Sequence, residues 1–267
     1  MAITKASLID LNGQELILDA DADTSITADT DDRIDFKTGG SDRVHITSAG
    51  HLSTGATSIT NGGGYNKVIQ VSGSEGCFSA ISSSGEGLFA QNGANTQVIN
   101  RCNGYMEFRT NNVVHQKIDS TGAVTKPLQP AFSVKRDAYQ SNIATGGVIV
   151  VWQTEIFDQN SDFASNTFTA PITGKYQFNV TMRLQSIDSA AAYYQTHLQT
   201  SNRNYEIDLL DPTEFNGDLN YYTVKGSILA DMDANDTAVI SIYQSGGTAQ
   251  TDVSYNEDTH WSGVLVC

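Results

Sequence analysis

The sequence predicts an all-β chain in two parts, and three observations carry that prediction. Gly, Ser, Thr, Asn and Asp dominate, only 17% of residues are charged, and 267 residues contain 4 prolines. This is the make-up of many short strands joined by tight turns. Apolar and polar residues alternate with period 2 along most of the chain, and no amphipathic stretch is long enough for a domain-forming helix. The composition then changes at Lys126-Pro127-Leu128-Gln129-Pro130, beyond which lie both Trp and most Tyr. Two prolines force extended backbone there, the mark of a linker.

Length allows one large domain or two ordinary ones, and the linker favours a division into 1–33, 34–126 and 127–267. Lys plus Arg total 15 against 30 Asp plus Glu, a formal net charge of −15. A phosphate-backbone ligand needs cationic groups to release counterions, so nucleic acid is excluded as a partner. The three cysteines, Cys77, Cys102 and Cys267, have no metal-ligand spacing and an odd count, which argues against a disulfide framework or a zinc site. Cys77 and Cys102 are expected as small buried hydrophobes. The N-terminus lacks the pattern of a secretory signal, and no apolar run approaches a membrane span, so no membrane insertion is expected.

Taken in order, residues 1–33 open with two apolar runs around Asn12-Gly13, the strongest short hairpin signal. Asp19, Asp21 and Asp23 follow at the first three ligand positions of a calcium loop. Thr24 stands where that loop needs Gly, and Thr30 where it needs a bidentate Glu. The run therefore reads as a solvated strand edge whose like charges discourage edge pairing.

An internal repeat comes next. Ile34 to Leu52 recurs 72 residues later as Met106 to Val124, gap-free over 19 positions. Each copy reads as strand, turn at Gly39-Gly40 or Asn111-Asn112, strand, then a Gly-marked turn. Each strand offers few apolar residues, too few to close a core within one chain, so such units must bury their apolar face against neighbours. Between the copies lie short runs bounded by Gly, Ser or Asn, namely 68–71, 78–81, 87–90 and 97–100. Asn61 to Lys67 has glycines without phosphate-loop spacing and reads as a loop.

Beyond the linker, Ala131 to Val134 should open a second sheet system. Tyr176, Phe178 and Val180 alternate with Lys175, Gln177 and Asn179, a half-buried strand. Before it, Pro171 fixes φ in a turn where Gly174 can supply a positive φ. Further strands are read at 192–198, 205–209, 221–229 and 238–243, with a turn at Asp231 to Asp236.

The spacing Trp152, five residues, Asp158, four residues, Phe163, four residues, Phe168, five residues, Gly174-x-Tyr176-x-Phe178 resembles the globular-head family of the first complement component's q subunit. That family is a branch of the tumour-necrosis-factor-like jelly rolls. His260-Trp261-Ser262-Gly263-Val264-Leu265 is similar to its last strand, which lies centrally beside the first. Here four residues separate Phe163 from Phe168 where six are usual, Trp152 replaces a Phe, and Val180 replaces an aromatic. The shortening falls in a connection, where length changes cost little. The repeat and Asp29 to Phe36 look like the shafts of phage fibres, notably marine phages, in which three chains wrap into one β-prism. The first dozen residues resemble virion-protein N-termini of that group.

These resemblances imply a trimeric β-prism-like fibre shaft followed by a TNF-like jelly-roll β-sandwich head. They imply a homotrimer in the virion, joined to other virion proteins through residues 1–33, with the head binding a host cell-surface glycan or protein. A head-decorating fibre or a structural connector without a receptor role is the alternative. A polysaccharide-degrading tailspike is the third reading, but no nucleophile elbow, zinc motif or phosphate loop is present, and a non-enzyme is expected. Tyr139, Asn142, Asn202, Tyr205, Phe215, Asn220 and Tyr222, in polar aromatic loops of the head, are the candidate receptor contacts. Heads of the resembled family often bind calcium, and Asp231 and Asp233 are the candidate ligands here.

Overall fold

A computed structural model describes residues 15–28, 32–54, 69–71 and 75–267. Asn12-Gly13, most of the expected attachment segment, Thr30 and the loop at 61–67 lie outside the described residues. The chain separates into two compact units, Met1–Met106 and Glu107–Cys267.

In the first unit, β1 (Leu16–Ile17), β2 (Ser25–Thr27), β3 (Ile34–Thr38), β4 (Ser41–Ile46), β5 (Leu52–Thr54) and β6 (Ile69–Val71) form one sheet in sequence order. A second, three-stranded meander comprises β7 (Glu75–Ser82), β8 (Gly85–Asn92) and β9 (Asn95–Asn100). The sequence repeat is also a backbone repeat. Gly39 and Gly40 have φ of 58° and 69°, and Asn111 and Asn112 have 47° and 63°. Two central residues with positive φ make the hairpin turn whose twist suits the flanking strands. In the following turn Thr47 N–H donates to the His51 carbonyl (3.0 Å) and Gly50 N–H to Thr47 (2.7 Å). Asp119 and Ala123 (3.0 Å), and Gly122 and Asp119 (3.1 Å), repeat both bonds in the second copy.

The first sheet buries the opposite face from the one its composition would suggest. Register places Thr27 opposite Asp35, Asp35 opposite His45, and His45 opposite Ser53. This polar row is buried, together with Ser25. The other face carries Ile34 beside Ile46 and Phe36 beside Val44, continuing through Ile26, Leu52 and Ile69. Ile34 is 44% exposed, Phe36 36% and Ile69 62%. Among the described residues of this unit, Leu88 is the one buried apolar side chain. The expectation that these strands cannot close a core alone is met.

The cysteine expectation is corrected. Cys77 is exposed, and Cys102 is half-buried with its thiol 2.7 Å from the Asn100 Oδ1. The β7–β9 meander leaves Phe78, Phe89 and Val98 in water on one face, and on the other buries Leu88 but leaves Ile81 and Cys77 exposed.

The second unit holds a small sheet of β10 (Met106–Thr110), whose first residue falls in the preceding unit, with β11 (Val113–Ile118) and β12 (Val124–Thr125), and then a jelly-roll sandwich. The sandwich strands are β13 (Ala131–Arg136), β14 (Gly146–Ile149), β15 (Thr154–Asp158), β16 (Phe163–Ala164), β17 (Thr167–Thr169), β18 (Gly174–Ile187), β19 (Tyr193–Thr200), β20 (Asn204–Leu210), β21 (Leu219–Met232), β22 (Thr237–Ser245), β23 (Asp252–Val253) and β24 (Asn256–Leu265). One sheet has the order β15-β13-β24-β18-β21, with β23 also on β18. The other has β16-β17-β22-β19-β20, with β14 also on β22. The last strand lies between β13 and β18, as expected, with Ser262 facing both Ser133 and Asn179.

Period 2 sends Tyr176, Phe178 and Val180 inward with Phe132, Val134 and Trp261. The Trp261 ring lies edge-on to Phe132 (centroids 4.9 Å apart) and Phe163 (5.6 Å) and tilted against Trp152 and Phe178 (5.9 Å each). The aromatic spacing read from the sequence is thus the spacing of one ring cluster.

Two local readings change. Gly174 does not have a positive φ; a Cβ there would lie 2.6 Å from Leu265 Cδ1 and 2.7 Å from the Cys267 carbonyl oxygen. Close approach of the C-terminal strand, rather than a turn, demands the glycine. The expected turn at Asp231 begins only at Asp233, because buried Met232 extends β21.

Two outcomes follow from this core. A fragment of residues 128–267 should unfold in one cooperative thermal transition with a β-type spectrum, since the buried cluster runs from Phe132 to Trp261. Trp261→Ala should destabilise that fragment by ~3–5 kcal/mol in denaturant titration, the usual cost of emptying a large aromatic site.

Candidate functional site

The residues singled out from the sequence fall at three places in the second unit. Tyr139 is exposed and sits edge-on to Tyr255 at 4.6 Å. Asn142, with φ 53°, donates its backbone N–H to Asp252 Oδ1 (2.8 Å). This loop is tied to β23 through Gln140 and Val253, which exchange backbone hydrogen bonds of 3.0 Å.

Asn202 and Tyr205 converge with Asp231. The Asn202 carboxamide donates to Asp236 Oδ2 (2.7 Å), while the Tyr205 hydroxyl donates to Asp231 Oδ1 (3.1 Å). Phe215 is exposed after a short 3-10 turn at Pro212–Glu214, and Asn220 is exposed in β21. Tyr205 and Tyr222 are partly buried against the core, and burial pushes both phenols up from their ordinary range.

Asp231 is already engaged. Arg203 Nη2 lies 2.9 Å from its Oδ2, and its own backbone N–H, the Tyr205 hydroxyl and Arg203 hold its carboxyl below the usual value. The Asp233 carboxylate accepts a long 3.5 Å bond from the Thr173 hydroxyl, and its backbone carbonyl accepts the Asp236 N–H at 3.0 Å. Among the described residues, triads of potential metal ligands within 4.8 Å of one another occur instead at Asp19/Asp21/Asp23 and at Asp35/Asp42/His45. In the second, Arg33 supplies the cation: its Nε is 2.8 Å from Asp35 and its Nη2 3.7 Å from Asp42. Burial would raise Asp35, but hydrogen bonds from His45 and Arg33 outweigh it and hold the carboxyl low. This is a buried ion network whose charges are paired, although Asp42 Oδ1 and His45 Nε2 are buried without a hydrogen-bond partner among the described residues.

Loops at one edge of the sandwich are organised by Asp218. Its carboxylate accepts the Ser189 N–H (2.9 Å), the Ser189 hydroxyl (2.8 Å) and the Gln250 carboxamide (2.8 Å). The Ser189 N–H first, then Gln250 and the Ser189 hydroxyl, lower its pKa.

A groove of the second unit lies elsewhere, on the outer face of the β19–β22–β14 sheet. Tyr194, Thr196, Leu198 and Thr200 point inward, so Tyr193, Gln195, His197 and Gln199 project outward from β19. Cross-strand pairing sets Tyr243 opposite Gln195 and Ser241 opposite His197. These six side chains line a groove of about 270 Å³. The Tyr193 and Tyr243 rings stack with centroids 6.0 Å apart and planes at 22°.

Gly147, directly opposite Tyr243, keeps that ring uncovered, since even a Cβ there would touch the ring at 3.7 Å. Exposed Ile149 forms an apolar lip, and Gln195 holds Glu206 at the rim by a 2.8 Å bond. No lysine or arginine lines the groove. Stacking surface, carboxamides, an imidazole and a hydroxyl together suit reversible binding of a small polar ring.

None of the sequence-selected residues lines this groove. The outward set on β19 was available from its alternation, but its partners on β22 and β14 lie some 40–50 residues away in either direction.

Asp218 makes a pH prediction. Its folded pKa is lowered, so its stabilising bonds are fully present above the ordinary carboxylate value of about 3.9 and are lost as pH falls through the folded value. Asp218→Asn should therefore flatten the acid limb of thermal stability below about pH 4, read as melting temperature against pH.

No family model and no curated protein matches the sequence. Among solved structures, the globular domain of the zebrafish complement 1qA protein is similar at 18% identity, covering 52% of this chain and 98% of that one, with a TM-score of 0.40. Murine APRIL, in its pH 8.5 crystal structure, is similar at 10% identity, covering 52% and 99% respectively, with a TM-score of 0.38.

Proposed function

We propose that this chain is a homotrimeric virion fibre protein, a phage tail fibre or spike, that works by binding rather than by catalysis. In this reading residues 1–33 attach to other virion proteins, 34–126 form a trimeric shaft, and 127–267 form a head that binds a host cell-surface glycan or protein. One observation carries it: the first sheet hides its polar row and leaves Ile34, Phe36 and Ile46 in water. Monomeric proteins rarely leave a contiguous apolar sheet face uncovered, and three copies of the same face can cover one another around an axis. The meander adds exposed Phe78, Phe89 and Val98 to the same account. Trimerisation also multiplies weak contacts of each head through effective concentration.

The full chain should sediment at about three times its 28.7 kDa mass, and Phe36→Asp should shift it toward smaller species by charging the shared face. A monodisperse wild-type monomer at micromolar concentration would refute the trimer. Immunogold labelling of virions with an antibody to residues 128–267, together with adsorption of the purified protein to host cells, tests the fibre role. Labelled virions without adsorption would leave the connector role in its place.

A further inference from the structure

We propose that the groove lined by Tyr193, Gln195, His197, Gln199, Ser241 and Tyr243 takes an uncharged pyranose ring. The inference rests on the head being the receptor-binding part and names the chemistry of what it binds. A pyranose presents a face of C–H groups and a rim of hydroxyls, and the groove presents the complement. The open Tyr243 face and its stacked neighbour Tyr193 offer a flat apolar platform. The carboxamides of Gln195 and Gln199 both donate and accept, which suits hydroxyls that do the same. A space of about 270 Å³ lies just below the ~300–1,000 Å³ of drug-sized sites, a fit for one small ring.

Charge decides between sugar classes. The groove has no lysine or arginine in its lining, and Glu206 is held at its rim by Gln195. The whole chain carries a net charge of −15. A uronate or sialate would meet the Glu206 carboxylate without a guanidinium or ammonium to pair with, an unfavourable juxtaposition that specific sites use to reject wrong ligands. An uncharged ring meets no such cost. Glu206 can even accept a hydroxyl proton, a charge-assisted bond stronger than a neutral one.

The test is saturation-transfer NMR on the full-length protein with methyl glycosides of glucose, galactose, mannose and N-acetylglucosamine, against those of glucuronate and N-acetylneuraminate. At least one uncharged glycoside should give a signal, with the charged pair at least tenfold weaker at equal concentration. Tyr243→Ala should cut the signal at least tenfold with its melting temperature retained, Gln195→Ala should reduce it several-fold, and Ile172→Ala, at an exposed position outside the groove, should leave it unchanged. Equal or stronger signals from the charged glycosides overturn the inference, as do no signal from any uncharged one and a signal that survives Tyr243→Ala.

Adsorption to host cells, measured in parallel, separates this inference from the fibre reading. Adsorption without glycoside binding overturns the sugar assignment alone, whereas loss of both overturns the receptor role as well. Periodate oxidation of lipopolysaccharide- or capsule-type glycans against protease digestion of surface glycoproteins then identifies which source carries the ring.

Discussion

The second unit depends on the placement of its last strand. β24 lies between β13 and β18, so it completes the hydrogen bonding of both and sets Trp261 against Phe132, Phe163 and Phe178. Without it β13 and β18 would each keep an open edge, with ladder donors and acceptors unpaired. The close fit shows at Gly263, where a Cβ would lie 2.5 Å from the Phe132 ring and 2.8 Å from that of Phe178. Backbone continuity and ring packing are thus met by one strand drawn from the far end of the chain. Such long-range pairing is slow to form, because loop-closure entropy must be overcome before the contacts stabilise.

The first unit follows a different rule. Its strands bury a polar row in which Asp35 pairs with His45 and Arg33, and leave the apolar row outside. A buried ion network contributes little net stability because desolvation offsets attraction. Period 2 then turns the hydrophobes outward. The repeat at 34–52 and 106–124 shows that the hairpin is set locally, because Gly39-Gly40 and Asn111-Asn112 reach the same left-handed turn by different residues. Glycine reaches it without a Cβ, and asparagine tolerates it better than most residues do.

The groove is a product of the sandwich rather than of any loop. Outward positions on a rigid strand are held more closely than loop tips, which favours a preorganised surface. Gln195 joins the two sides of β19, facing Tyr243 of β22 across the ladder and holding Glu206 of β20 at the rim.

The sequence by itself determined the all-β class, the repeat with its turns, most strands of the sandwich, and the central position of the last one. Each of these is written in short-range signals: alternation, paired glycines or asparagines, and a spacing of aromatics that resembled a known head. The tertiary structure decided what depends on pairing between distant segments. It showed that Gly174 is small because Cys267 and Leu265 pass beside it, that Cys77 stays exposed, and that Met232 carries β21 past Asp231. It also turned Tyr205 and Tyr222 against the core and assembled Tyr193, His197 and Tyr243 into one concave surface. A strand's own alternation says which side chains share a face, but only the register with its neighbours says what that face meets.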